Sequence, residues 1–349
     1  MRRVAIAVIP TGAIACGSPS PRQTGQAALS SVDARTQING AGATFPNPIY
    51  SKWFEEYSKL HPDVRIDYQP IGSGGGVRQL TNRTVLFGAS DVPMTEDQLQ
   101  LAPGPILHIP SVLGAVVPVY NLQGTPDLRF TGAVLANIYL GRIRKWNDPA
   151  IAKVNPGVTL PGTDITVVHR AESSGTTFIF VDYLAKISPE FQKTVGVDSA
   201  VNWPLGIGGK GNEGVAELVA QTPGAIGYVE LVYAMQNGMS FGAVQSSAGD
   251  MVKTSPESVT KAVAGAVVPD DFRVSITNAP GAGAYPLSSF TWLLLYTDPP
   301  DKTQARALNE FVKWALTDGQ QYAADLHFAR LPDSVVSREL MALETIKTN

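Results

Sequence analysis

The chain has 349 residues, of which 44% are hydrophobic and 16% charged, and its formal net charge is −3. This composition is typical of a globular protein that is long enough for two ordinary domains. The small negative charge excludes the broad basic surface that general nucleic-acid binding requires, so no nucleic-acid partner is expected. Any site for an anion must therefore be built locally, from a few residues.

The N-terminal residues predict export. Two arginines precede an apolar run from Val4 to Ala15, which is shorter than the roughly 20 residues that span a bilayer. Residues 1–15 are therefore predicted to be a signal peptide. Cys16 is the only cysteine, so it cannot form an internal disulfide. Residues 13–16 resemble a bacterial lipoprotein cleavage box, although leucine is more usual at the first position. Cys16 is accordingly predicted to carry a lipid; the alternative is a stray thiol in a leader that is removed.

A flexible tether is predicted over residues 16–36, because they lack a periodic apolar face. The exported protein would then lie in the cell envelope, in the periplasm or at the outer face of the cytoplasmic membrane. The lipid on Cys16 would be its only attachment to that membrane.

From Gln37 onward, short apolar strands alternate with amphipathic helices, a pattern that predicts an α/β fold. Strands are predicted over residues 64–68, 165–168 and 292–296, and helices over residues 46–60, 176–186, 213–220 and 303–317. The last helix has apolar residues at positions i, i+3, i+4 and i+7, and Gly319 is the predicted stop signal after it.

Two segments have a composition suited to carrying the chain between domains. Residues 109–121 are a long β-rich run punctuated by proline and glycine, and residues 277–288 are rich in glycine, alanine and proline. Two crossings make one domain from both ends of the chain and another from its middle, with a cleft between them as the natural ligand site. The predicted boundaries are residues 37–110 and 288–349 for domain I, 118–277 for domain II, and 111–117 and 278–287 for the crossovers.

Three stretches of glycine and hydroxyl residues have the composition that joins a strand or loop to a helix start: residues 40–46, 72–76 and 170–176. Helix starts carry unpaired N–H groups and partial positive charge, and glycine lets an anion approach the backbone. Serine and threonine add hydroxyl donors, and Arg170 adds a bidentate fork. Each hydrogen bond to a charged group contributes about 1.5–3 kcal/mol, so several together would hold a small anion. Each stretch alone is also typical of an ordinary cap or turn, but three of them with an arginine favour an anion site.

Asp91 is the unexpected residue, because a carboxylate in an anion site would repel a fully ionised ligand. It would instead accept a hydrogen bond from a ligand that keeps a proton. Phosphate near neutral pH has such a proton and sulfate does not, so Asp91 would set the specificity. The alternative is that Asp91 caps the turn before residues 94–99.

The sequence offers little support for catalysis, a cofactor or a metal. Residues 206–211 fit the dinucleotide pattern G-x-G-x-x-G but follow a poor strand. The four histidines show no metal-ligand spacing, and neither Ser73 nor Ser174 lies in a G-x-S-x-G elbow. We therefore predict a binding protein with no catalytic residue, no cofactor and no metal site.

The sequence resembles the phosphate-binding proteins that feed high-affinity phosphate ABC importers, from about residue 39 to about residue 336. The stretches that carry the resemblance are AGATFP (41–46), GSGGG (72–76), FGASD (87–91), YLGRIRKWND (139–148), RAESSGT (170–176), GGKGNEG (208–214), PGAIGYVE (223–230) and LPDSVV (331–336). The resemblance implies the two-domain periplasmic-binding-protein fold of type II, with a two-stranded hinge and an interdomain cleft. It also implies inorganic phosphate as ligand, permease subunits as partners, a monomer, and no catalysis.

The resemblance also assigns roles to residues of this chain. The phosphate contacts it implies are Ala43, Thr44, Phe45, Ser73, Asp91, Arg170, Ser174, Gly175 and Thr176. Glu172 is expected to orient Arg170 without touching the ligand. Two departures are visible: Gly74 stands where many relatives have a second serine, and Glu172-Ser173 stands where Asp-Gly is familiar.

Three other functions stay open at this point. A receptor for sulfate or molybdate is disfavoured by Asp91. A secreted phosphatase or related hydrolase would need a metal cluster or an activated nucleophile. A surface adhesion or scaffold protein with the same fold would show no tight binding of a small anion.

Overall fold

The computed structural model describes residues 35–125 and 127–349. The predicted signal peptide, Cys16 and the predicted tether up to residue 34 lie outside the described residues. Thr36, which we had expected to end the tether, is already the first residue of a strand. Within the described part of the chain, no helix is both long enough and apolar enough to cross a bilayer.

The described residues alternate between strands and helices, as the pattern predicts. The strands are β1 (Thr36–Gly42), β2 (Val64–Pro70), β3 (Phe87–Ser90), β4 (Ile106–Tyr120), β5 (Arg129–Phe130), β6 (Thr166–Arg170), β7 (Ile207–Gly209), β8 (Ala225–Glu230), β9 (Ser240–Phe241), β10 (Ala243–Gln245), β11 (Met251–Val252) and β12 (Ser288–Tyr296). The helices are α1 (Asn47–Leu60), α2 (Ser73–Thr81), α3 (Glu96–Leu101), α4 (Gly132–Tyr139), α5 (Pro149–Val154), α6 (Gly175–Ile187), α7 (Pro189–Thr194), α8 (Gly211–Gln221), α9 (Leu231–Gln236), α10 (Pro256–Ala264), α11 (Lys302–Leu316) and α12 (Asp333–Leu343).

Strand β4 joins two groups of strands in one sheet, whose order is β2-β1-β3-β12-β4-β8-β6-β7. Its first part, through Ala115, pairs antiparallel with β12, and its second part, from Val116, pairs antiparallel with β8. Parallel pairing of β1 with β2 and β3 builds one group, and parallel pairing of β6 with β7 and β8 builds the other. The carboxyl ends of β1, β2 and β6 lead into the three predicted anion-binding stretches, and the carboxyl end of β3 leads into Asp91.

The two prolines of β4 do not end the strand. Pro110 pairs with Trp292 at the point where the register of β12 shifts, and a proline, which cannot donate to the ladder, is tolerated at such an irregularity. Ser111 is the extra residue there, and its hydroxyl bonds with the hydroxyl of Tyr50 at 2.8 Å. The predicted long β-rich run, residues 109–121, is therefore confirmed up to residue 120 as part of one strand that spans Ile106–Tyr120.

The predicted strands and helices are confirmed, with ends shifted by at most four residues. In α11 the buried residues include Leu308, Phe311, Val312 and Ala315, the face that the spacing predicts. The predicted stop signal was wrong. The helix ends at Leu316, and Gly319 lies in the following 3-10 turn, where its carbonyl accepts a hydrogen bond from the indole of Trp53 at 2.7 Å.

Candidate anion-binding site

The three glycine- and hydroxyl-rich stretches and Asp91 come together in the structure. Thr44 follows β1, Ser73 begins α2, Asp91 follows β3, and Arg170 ends β6 just before α6. All the predicted contact residues are buried: Ala43, Thr44, Phe45, Ser73, Asp91, Arg170, Ser174, Gly175 and Thr176. Residues far apart in sequence thus form one polar cluster inside the protein.

Ser73 and Gly175 make the contact between the second and third stretches. The N–H of Gly175 donates to Ser73 Oγ at 3.0 Å, and the N–H of Asp91 donates to the same oxygen at 3.2 Å. A Cβ on Gly175 would lie 2.5 Å from Asp91 Cβ, so only glycine fits there. Because Ser73 Oγ accepts from two N–H groups, its own proton is left to donate, either to Asp91 Oδ2 at 3.5 Å or to a ligand.

The first stretch is held by backbone contacts on both sides. The N–H of Ala43 donates to the carbonyl of Ala89 at 2.9 Å, and the carbonyl of Thr44 accepts from the hydroxyl of Tyr233 at 2.6 Å. Phe45 is completely buried and anchors the turn that enters α1. The Thr44 side chain is therefore presented from a fixed backbone.

The third stretch ends in the N-terminus of α6, a 13-residue helix. Ser174 is its N-cap, with Oγ accepting from the N–H of Thr177 at 3.2 Å. A helix start of this kind brings unpaired N–H groups and the positive end of the helix dipole to the cluster.

Arg170 supplies the positive charge of the cluster, and Glu172 holds the Arg170 side chain in place. The Arg170 side chain is only 1% exposed, and its Nε donates to Glu172 Oε1 at 3.0 Å, with Nη2 on the same oxygen. Nη1 donates to Thr176 Oγ1 at 3.2 Å. Glu172 Oε1 also accepts from the N–H of Gly211 at 3.0 Å, which fixes the carboxylate against the start of α8. The planar guanidinium is thereby held in one orientation.

Asp91 is a buried carboxyl, 1% exposed, and it does not serve as a helix cap. Thr95 fills that role for α3, with a full capping box. Asp91 Oδ1 accepts from Thr291 Oγ1 at 2.7 Å. Burial raises the pKa of Asp91 to about 7, against the opposing effects of Thr291, Arg170 and Ser73. The carboxylate is thus placed where it can accept a further hydrogen bond.

Sequence reasoning missed three side chains that support this cluster. Asn212, at the start of α8, donates from Nδ2 to Thr44 Oγ1 at 2.8 Å and to Thr176 Oγ1 at 3.3 Å. Tyr233 bonds the Thr44 carbonyl, and Thr291 bonds Asp91. The only signal for Asn212 was its place in the stretch 208–214, and Tyr233 and Thr291 carry no local motif.

The structure offers little to a metal or a nucleotide. Among the described residues, no group of three or more histidine, cysteine, aspartate or glutamate side chains could hold a metal ion. The only strand in the dinucleotide-like residues 206–211 is the short β7. The first N–H groups of α8 already donate to protein acceptors: Gly211 N–H to Glu172 Oε1 and Asn212 N–H to Thr44 Oγ1.

Comparison with known proteins identifies the family to which this chain belongs. A family model described as a PBP superfamily domain matches residues 27–319. The phosphate-binding protein PstS of Xylella fastidiosa is 45% identical, over 86% of this chain and 83% of that protein. PstS of Methanocaldococcus jannaschii is 37% identical, over 89% of this chain and 86% of that protein.

Solved structures agree on the fold. The high-affinity periplasmic phosphate-binding protein PfluDING, solved with bound phosphate, superimposes with a TM-score of 0.72 at 22% identity, covering 86% of this chain and 92% of that one. A phosphate-binding protein from Stenotrophomonas maltophilia gives a TM-score of 0.70 at 18% identity, covering 88% and 94%. The predicted fold class, an α/β periplasmic-binding-protein fold of two domains, is confirmed. The chain therefore belongs to the PBP superfamily and, within it, to the family of PstS phosphate-binding proteins.

Proposed function

We propose that this protein is the extracytoplasmic solute-binding protein of an ABC importer, that it binds one inorganic phosphate ion at the Asp91–Arg170 cluster, and that it catalyses no reaction. The observation that carries the proposal is a buried carboxylate among groups that otherwise donate hydrogen bonds. The two relatives described above are both named phosphate-binding protein PstS, which agrees with the proposal.

The donors suit a tetrahedral anion. Thr44, Ser73, Ser174 and Thr176 offer hydroxyl groups, Phe45 and Thr176 offer backbone N–H groups, and Arg170 offers its charge. Gly175 contributes through its N–H, which donates to Ser73 Oγ and leaves the Ser73 proton for the ligand. Ala43 lies beside them at the end of the first stretch. Charge-assisted hydrogen bonds of this kind are about twice as strong as neutral ones, so a few of them hold an anion without a positively charged surface. Glu172 contributes by keeping Arg170 in place.

Asp91 gives the site its preference for phosphate over sulfate. Phosphate keeps at least one proton near neutral pH. Its O–H group can therefore donate a hydrogen bond to the ionised carboxylate of Asp91. Sulfate has no proton to donate, so its oxygen would face the carboxylate directly, and both desolvation and repulsion oppose its binding.

We place the phosphate between two domains that close over it. Domain I is assigned to residues 37–110 and 288–349, domain II to 118–277, and the crossovers to 111–117 and 278–287. The change of partner within β4 at residues 115 and 116 supports the first crossover. Hydrogen bonds between four pairs of residues join the proposed domains beside the site: Ser73–Gly175, Gly74–Ser173, Thr44–Asn212 and Thr44–Tyr233.

The cellular setting belongs to the same proposal. The closed, phosphate-loaded monomer docks on the permease subunits of the importer and releases its ligand there. A lipid on Cys16 holds the protein at the outer face of the cytoplasmic membrane. Mass spectrometry of membrane-extracted protein tests the anchor: a lipid mass on residue 16 is expected, and an unmodified cysteine or a chain without it contradicts the anchor.

Two variants test the site. Arg170→Ala removes the cation, and Asp91→Asn replaces an acceptor-only group by an amide that also donates. Each is expected to weaken phosphate binding by about 100-fold or more, since a hydrogen-bonded buried charge loses its partner. Phosphate affinity that is unchanged in both variants, measured by calorimetry, would show that the anion binds elsewhere.

A further inference from the structure

Asn212 is completely buried, and both ends of its side-chain amide are occupied. Oδ1 accepts from the backbone N–H of Glu230 at 2.9 Å. A backbone N–H can only donate, so this contact fixes which end of the amide is the oxygen. Nδ2 must then be the end that faces Thr44 Oγ1 and Thr176 Oγ1, at 2.8 Å and 3.3 Å.

These contacts determine the direction of both threonine hydroxyl groups. A hydroxyl group has one proton and two lone pairs. Thr44 Oγ1 accepts from Asn212 Nδ2 and, at 3.4 Å, from the Asn212 backbone N–H. Thr176 Oγ1 accepts from Asn212 Nδ2 and, at 3.2 Å, from Arg170 Nη1. Because two protein donors point at each oxygen, each hydroxyl proton is directed away from them.

We propose that Asn212 is a positioning residue that makes Thr44 and Thr176 hydrogen-bond donors toward the bound anion; this rests on the proposed phosphate site. Without the amide, either hydroxyl group can rotate and turn a lone pair toward the anion, which is repulsive. The amide also joins the first and third stretches, so the two hydroxyl groups take their direction together when the site assembles. Asn212 acts on the ligand only through them.

A double-mutant cycle separates this role from simple structural support. Phosphate dissociation constants are measured by calorimetry on the full chain for wild type, Asn212→Ala, Thr44→Val and the double variant. In wild type, Thr44→Val is expected to weaken binding by about 10- to 100-fold, the range for a hydrogen bond to a charged group. In the Asn212→Ala background the same change is expected to cost less than about fivefold, because the hydroxyl group no longer holds its direction.

The control is Asn309→Ala, which removes a buried asparagine whose Nδ2 donates to the Leu343 carbonyl, away from the cluster. It is expected to lower the melting temperature while phosphate affinity stays within about twofold of wild type. If Thr44→Val costs the same factor with and without Asn212, or if Asn212→Ala binds phosphate like wild type, the proposal is overturned.

A second variant covers the case in which Asn212→Ala does not fold. Asn212→Asp has the same shape but accepts where Nδ2 donates, so it draws the hydroxyl protons away from the ligand. Phosphate affinity within threefold of wild type in this variant contradicts the proposal. Wild-type protein that fails to bind phosphate would instead refute the phosphate site itself, so the two failures are distinguishable.

Discussion

Replacing Gly74 by serine is expected to weaken phosphate binding, and removing the side chain of Ser173 in the same chain is expected to restore it. The two residues lie on the second and third stretches, with the N–H of Gly74 3.4 Å from the Ser173 carbonyl. A Cβ on Gly74 would lie 2.2 Å from Ser173 Oγ and 2.5 Å from Ser173 Cβ. A new rotamer of Ser173 cannot relieve the clash, because its Cβ does not move with χ1.

The size of the effect follows from these distances. Carbon atoms in contact lie about 3.5–4.0 Å apart, so the two stretches would have to separate by roughly 1 Å. Forcing extra atoms into a well-packed region costs about 1–3 kcal/mol. Because the same separation pulls Ser73 from Gly175, most of that cost is expected to fall on phosphate binding, as a loss of about 5- to 150-fold.

The assay is calorimetric titration of phosphate into wild type, Gly74→Ser, Ser173→Gly and the double variant, with melting temperatures as a check on folding. Ser173→Gly alone loses the 2.8 Å contact with the Ser199 hydroxyl and is expected to bind within about threefold of wild type. The double variant should recover to that level. Gly74→Ser that binds like wild type, or a double variant as weak as Gly74→Ser, refutes the steric argument.

The other predictions concern Asp91 and the contacts around it. Burial raises the pKa of Asp91 to about 7 from the ordinary aspartate value of 3.8, so between these two pH values the folded protein keeps a proton that the unfolded chain releases. The contribution of this proton to the free energy of unfolding is complete below about pH 4 and is lost as pH rises through 7. The total loss is about 4 kcal/mol. In phosphate-free denaturant titrations, Asp91→Asn should therefore gain stability relative to wild type from roughly pH 4 to 8; a constant difference contradicts the shift. Thr291→Val removes the donor to Asp91 Oδ1 and should weaken phosphate binding about tenfold or more, but hardly at all in the Asp91→Asn background. Equal losses in both backgrounds would show that Thr291 acts by another route. Tyr233→Phe leaves the Thr44 carbonyl without its 2.6 Å donor and should weaken binding about tenfold, chiefly by faster release in stopped-flow experiments; an unchanged release rate would argue against a closing contact.

The two departures from the relatives' pattern become one feature in the structure. The family resemblance implies serine at position 74 and glycine at position 173, and in sequence these two differences lie about 100 positions apart. The structure places them in contact, so the side chain that one position lacks is supplied by the other. Pairings of this kind depend on the tertiary fold, and no local pattern predicts them.

Local chemistry explains what could be predicted. The stretches that enter α1, α2 and α6 could be identified in the sequence by their glycine and hydroxyl residues. The hydrophobic face of α11 could be identified by the spacing of its apolar residues. Thr291 lies in a strand whose residues are all buried, where a threonine is unremarkable in sequence. Its role appears only when β12 is placed beside β3, which brings it to Asp91.

The stop signal after α11 was predicted wrongly, whereas the long β-rich run of β4 was predicted correctly. Gly319 has the residue type of a helix stop, yet the chain uses it to bring its carbonyl to Trp53, a partner from the other end of the sequence. The proline- and glycine-containing run of β4 forms one strand because β12 and β8 share it and the register shift beside Pro110 absorbs the missing donor.

The most direct test of the account is calorimetric titration of the purified protein, stripped of bound anion, with phosphate and then with sulfate near neutral pH. The account predicts tight one-to-one binding of phosphate and no response to sulfate, because only phosphate can donate a proton to Asp91. Sulfate binding as tight as phosphate would contradict the role of Asp91, and no binding of either anion would contradict the proposed function.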